Sequence, residues 1–102
     1  MPIMEISVVP LGTKTASVSK YVAGCISVLK RQKHIDYELT SMGTVIQAGS
    51  VKRLLEIAGK MHRAAFNKQV KRVVTTIKID HRSDKRLTIK GKTEAVKNKI
   101  RI

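Results

Sequence analysis

The residues best equipped for chemistry lie between Tyr37 and Ala48, in the run YELTSMGTVIQA. Thr40, Thr44 and Gln47 carry neutral groups that both donate and accept hydrogen bonds. Two short alternating runs flank Met42-Gly43 and read as a tight hairpin, with the three side chains expected on one sheet surface. Such a surface suits a small polar ligand better than it suits catalysis. Glu5 and Glu38 are the one candidate carboxylate pair. They could serve as acid and base, neutralise a ligand cation, or take part in an interface ion pair with Lys78. No nucleophile or oxyanion donor accompanies them. His34, His62 and His81 fall on separate elements without a second ligand at metal spacing, so no metal site is expected. Cys25 sits on a helical core stripe and reads as a small buried hydrophobe. Asp80, Arg82 and Asp84 read as a loop salt-bridge network. No nucleophile elbow, phosphate-binding loop or dinucleotide fingerprint occurs. The chain is therefore expected to be no enzyme and to need no cofactor.

These groups must be positioned by six elements and an extension. Residues 3–9, IMEISVV, alternate with apolar residues on both faces and predict a central strand, ended by Pro10-Leu11-Gly12-Thr13. A helix is expected from Ser17, its N-cap, to Lys33, with Val18, Tyr21, Val22, Cys25, Ile26 and Leu29 on one stripe. Residues 35–41 and 44–48 form the hairpin, Ile35, Tyr37 and Leu39 facing the helices. A second helix spans 50–67 and buries Val51, Leu54, Leu55, Ala58, Met61, His62 and Ala65. A last strand covers 70–80, and a short helix 93–101. The order β-α-β-β-α-β predicts an α+β, ferredoxin-like domain over residues 1–102. Two helices cover one face of a four-stranded antiparallel sheet. The other face, with Glu5, Ser7, Val9, Glu38, Thr40, Val45, Gln47, Val74, Thr76 and Lys78, is left open. Its valines predict a covering subunit.

Composition narrows the partners. Of the 102 residues, 42% are hydrophobic and only 3% aromatic, so the core must be aliphatic. No apolar run reaches the roughly 20 residues that span a bilayer, and residues after Met1 lack a signal-peptide pattern. A single cysteine predicts a reducing cytoplasm. The net charge is +14. Residues 1–51 hold five Lys/Arg and three Asp/Glu, against sixteen and four in residues 52–102. A basic half is the electrostatic footprint of a polyanion binder. Here the cations are scattered over every element with almost no aromatic interleaving, which favours a solvated face.

Four motifs carry a resemblance: SVVPLGT at 7–13, SVSKYVA at 17–23, YELTSMGTVI at 37–46 and KRVVTTIKIDHRSD at 71–84. In that order they resemble the YkoF-like thiamine-binding family of small ferredoxin-like proteins, over nearly the whole chain. The resemblance implies binding of thiamine, its aminopyrimidine moiety or a thiamine phosphate, without catalysis, and dimers that pair as tetramers. It implies a ligand set of Ser7, Ser19, Thr40, Met42, Gly43, Thr44, Gln47 and Thr76. A flat heteroaromatic would lie on Met42 and the Gly43 backbone, with hydroxyls and main-chain groups reading its ring nitrogens. Relatives commonly carry an acidic residue at Gln47 and an aspartate at His81. Loss of a nearby carboxylate weakens attraction to a thiazolium cation and turns the expectation toward an anionic ligand. Two other readings remain: a nucleic-acid-binding module driven by residues 52–102, and a structural oligomer without ligand.

Overall fold

A computed structural model describes residues 1–12, 19–67 and 69–100, with only the backbone of Ser19. Strand β1 (Ile3–Leu11) is followed by helix α1 (Ser19–Lys30), β2 (Asp36–Leu39), β3 (Thr44–Gln47), α2 (Val51–Ala64), β4 (Arg72–Asp80) and α3 (Ile89–Ile100). The four strands form one antiparallel sheet in the order β2-β3-β1-β4. This is the ferredoxin-like α+β arrangement expected from the element order.

Register assigns the faces. In antiparallel ladders, directly opposed residues point to the same side. Met4 opposes Ile46 and Ile79, and Ile6 opposes Thr44 and Ile77, so these residues face the helices. Met4, Ile6 and Ile46 pack with Cys25 and Leu29 of α1 and with Leu54, Ile57, Ala58 and Met61 of α2 into one core. The other face presents rows across all four strands. One row reads Glu38, Val45, Glu5, Lys78, and the next Asp36, Gln47, Ile3, Asp80.

Three sequence expectations change. Strand β1 runs through Pro10, which opposes Val73, and ends at Leu11. Past Ile6 it has β4 on one side only, because β3 pairs with Ile3–Ile6 alone. A residue lacking an N–H is tolerated beside such a free flank. The turn follows at Gly12, whose φ of +77° is a left-handed conformation that glycine adopts without strain.

Helix α2 starts as expected. Ser50 adopts an extended N-cap conformation and its Oγ accepts from the Arg53 N–H at 3.1 Å. Its buried arc differs from the expected one. Leu55 is 52% exposed, whereas Ile57, absent from the expected stripe, is fully buried. The helix packs on α1 as well as on the sheet. Arg53 and Lys60 both donate to the Gln32 side chain at the end of α1, at 3.1 and 3.3 Å. That second contact rotates the buried arc toward Ile57 and leaves Leu55 on the opposite flank. Helix α3 begins at Ile89, four residues before the expected position, and buries no residue. Its start is set by Thr88, whose Oγ accepts from the Gly91 N–H at 2.9 Å. The expected N-cap Ser17 and core residue Val18 lie outside the described residues.

Candidate functional site

Because β3 starts only at Thr44, opposite Ile6, the flank of β1 beyond Ile6 has no neighbouring strand among the described residues. The β2–β3 turn crosses this gap. Thr40 organises the turn: its N–H and its hydroxyl both donate to the Gly43 carbonyl, at 2.9 and 2.8 Å. The same hydroxyl oxygen accepts from the N–H of Gly43 at 3.1 Å and of Met42 at 3.3 Å. A threonine that closes its own turn in this way holds the hairpin tip without help from the rest of the fold. Glycine at 43 relieves a close approach, since a Cβ there would stand a tight 3.1 Å from the Ile6 carbonyl oxygen.

Between turn and helices lies a cavity of about 150 Å³. Its floor is Ile6, Ser7, Val8 and Val9 of β1, its rim Leu39 to Thr44, and its roof Val22 and Cys25 of α1 with Met61 of α2. Thr40, Ser41 and Thr44 bring hydroxyls to an otherwise apolar lining, and Ser7, whose side chain shares the open face with Thr76, borders it at the free flank of β1. No charged side chain lines it among the described residues. Met42 is 83% exposed and stands at the mouth, a flexible thioether free to fold over an occupant. Cys25 donates from Sγ to the Met61 carbonyl at 3.4 Å, and burial pushes its thiol pKa up. A thiol so raised stays protonated at neutral pH and is a wall, not a nucleophile.

The cavity thus brings together Ser7, Thr40, Met42, Gly43 and Thr44 of the expected ligand set. Ser19 heads α1, but its side chain lies outside the described residues. Gln47 and Thr76 are placed elsewhere. Residues 44 and 47 are an odd number apart along β3, so Gln47 faces the open side while Thr44 faces the helices. Gln47 instead anchors α3. Its Nε2 donates to Asp36 Oδ2 at 3.2 Å, and its Oε1 accepts the Ile89 N–H at 2.9 Å. Thr76 opposes Ser7 on the open face of the sheet and does not line the cavity. Sequence reasoning missed Val22, Cys25 and Met61 as lining residues. Their helical stripe marks them as core, and only the end of β3 turns that stretch of core into a cavity wall.

Gln47→Leu is expected to free α3 while leaving the four-stranded sheet in place. The substitution removes the acceptor of the Ile89 N–H and the bridge to Asp36, a loss of about 0.5–1.5 kcal/mol for each hydrogen bond. Amide exchange across residues 89–100 should accelerate about tenfold or more, with little change in β1 and β3.

The two carboxylates stand apart. Glu38 and Glu5 share a row with Val45 between them, about 10 Å apart at two strand spacings. Glu5 pairs with Lys78 at 3.8 Å, on the open face. His62 Nδ1 lies 2.6 Å from Thr75 Oγ1, and its ring meets Phe66 edge-on at 5.3 Å. Among the described residues no three metal-ligating side chains converge. Arg82 and Asp84 form a bidentate pair, which raises the Arg82 pKa and lowers that of Asp84. Lys92 pairs with Asp80, Arg53 with Glu56, and Lys90 with Glu94. The basic half is therefore spread over α2, β4, the loop and α3, with several cations already matched to acids. No helix among the described residues is long and apolar enough to cross a membrane.

Comparison with known proteins agrees with this architecture. The model of a family described as thiamine-binding protein matches residues 4–97. A UPF0045 protein of Methanothermobacter thermautotrophicus is 40% identical over 96 residues, which cover 94% of this chain and 96% of that one. The crystal structure of a hypothetical protein from Methanocaldococcus jannaschii superposes with a TM-score of 0.83 at 41% identity, covering 93% and 94% of the two chains. A candidate thiamine biosynthesis/salvage protein of Thermotoga maritima shares the fold, with a TM-score of 0.76 at 19% identity over 93% and 97%. A match over nearly every described element, hairpin and cavity floor included, places this chain in the thiamine-binding protein family.

Proposed function

We propose that the chain is a non-enzymatic binding protein whose hairpin cavity receives the aminopyrimidine ring of thiamine, free or as part of the vitamin, and that it works as a homo-oligomer. The cavity carries this reading. A cavity of about 150 Å³ is known to hold one six-membered ring such as benzene. It is too small for both rings of thiamine, so the thiazolium and any phosphate would project past Met42. The hydroxyls of Ser41 and Thr44 can each donate or accept, which suits ring nitrogens beside an exocyclic amine, while that of Thr40 is committed to the turn. The ring is uncharged, as is the described lining. The cation would sit outside, in solvent, which removes the need for a carboxylate at Gln47.

Self-association is supported by Val9, Leu11 and Val74, which stay exposed on the uncovered sheet face. Titration calorimetry with thiamine, its pyrimidine fragment and its phosphates tests the ligand. The pyrimidine fragment is expected to retain most of the binding free energy, with phosphorylation changing affinity less than about tenfold. Absence of heat with all of them at millimolar concentration would remove thiamine chemistry from the site.

A further inference from the structure

We infer that the free edge of β4 is the surface at which a second copy of this chain docks, adding its own β4 antiparallel in a register centred on Thr76. The inference rests on the homo-oligomer reading above and is independent of the ligand. Strand β4 is nine residues long and ends the sheet, with β1 on its inner side and, among the described residues, no strand on its outer side. A long uncovered edge of alternating apolar residues is a template for another strand, and native proteins pair it or cover it.

The flank of α2 beside this edge is apolar as well. His62 reaches Thr75, whereas Arg53 and Lys60 reach α1, so the stripe of Leu55, His62 and Phe66 overhangs β4. Leu55, Phe66 and Ile77 are each exposed, as is Val74 on the other side of the strand. A second copy related by a two-fold axis would set the helix-side stripe against itself and lay Val74 along the partner's strand.

Charge selects the register. Continuity of the two faces requires that residues of like orientation oppose each other, so the axis must pass through a residue. With the axis at Thr76, Arg72 opposes the partner's Asp80, which also holds its own Lys92, at both ends of the ladder, and Val73 opposes the partner's Ile79. Lys78 opposes the partner's Val74 and keeps its own Glu5. Moving the axis to Thr75 sets Arg72 against the partner's Lys78. Moving it to Ile77 leaves Arg72 and Val73 beyond the end of the partner's strand, and moving it to Lys78 sets that lysine against itself. Moving it to Val74 uses only the first half of the strand. Like charges directly opposed are unfavourable and opposite ones favourable, so the Thr76 axis alone uses the whole strand without a repulsive pair.

Thr76→Cys tests the register, since only this axis brings residue 76 beside its own copy, within the Cα separation a disulfide accepts. Mild oxidation should convert most of this variant to a covalent dimer, and neither Val74→Cys nor Lys78→Cys alone should do so. A mixture of Val74→Cys and Lys78→Cys chains should cross-link to each other. Arg72→Glu should weaken the dimer about tenfold in light scattering. The exchanged pair, Arg72→Glu with Asp80→Arg, should restore it. A protein that is dimeric by scattering but does not cross-link through Thr76→Cys overturns this interface and leaves self-association standing. A wild-type chain that is monomeric at every concentration overturns both.

Discussion

Val22→Phe is expected to abolish ligand binding while leaving the fold intact. Val22 is half-buried on α1 and forms part of the cavity roof. A phenyl ring there would take up much of the roughly 150 Å³ that the proposed pyrimidine needs. The void is already present, so the added ring fills space without displacing neighbours, and the melting temperature should hold or rise. Affinity for the pyrimidine fragment should fall at least about a hundredfold, equivalent to roughly 2.7 kcal/mol. Thr44→Val provides the gentler comparison. It keeps the shape, removes one buried hydroxyl, and should cost about tenfold if that hydroxyl reads a ring nitrogen. Calorimetry on both variants beside a thermal melt separates blocked binding from unfolding. Wild-type affinity in Val22→Phe would place the ligand elsewhere.

Ile57→Ala is expected to be among the most destabilising single substitutions in the chain. Ile57 is fully buried where α1, α2 and the sheet meet. Deleting its side chain removes transfer free energy and leaves a cavity that both helices are held from closing, a loss of about 2–5 kcal/mol. A domain of this length has roughly 5–15 kcal/mol in total, so the loss is a large share of the whole. Denaturant titration should show a markedly lower midpoint with an unchanged slope. Val96→Ala on α3, where the side chain is 58% exposed, should shift the midpoint by no more than about 0.5 kcal/mol equivalent. Equal effects at the two positions would mean that α1 does not pack on that flank of α2.

The two predictions mark where sequence patterns are sufficient and where they are not. The alternation in IMEISVV and the turn at Met42-Gly43 act through neighbours in the chain, and the hairpin forms where expected while the strand runs two residues past its expected end. The stripe on α2 was legible as a stripe, but its centre was not. Periodicity reveals that a helix has an apolar side without revealing that two different surfaces will compete for it. Leu55 and Ile57 exchange places for that reason. The same holds for Pro10, which looks like a strand breaker until β3 proves too short to need its N–H.

The local order of strands and helices, the hairpin and its self-closing threonine, and the family membership were all determined by the sequence alone. Each depends on contacts within a few residues or on motifs readable in a line. Tertiary structure alone decided that β3 ends four rungs into β1, which opens the cavity beside Ser7 and gives Val22, Cys25 and Met61 a wall to form. It also decided that Gln47 points away from that cavity to hold α3, because one step along a strand reverses every side chain. Such features arise from relative strand length and register between segments far apart in sequence, and no periodicity within one segment encodes them.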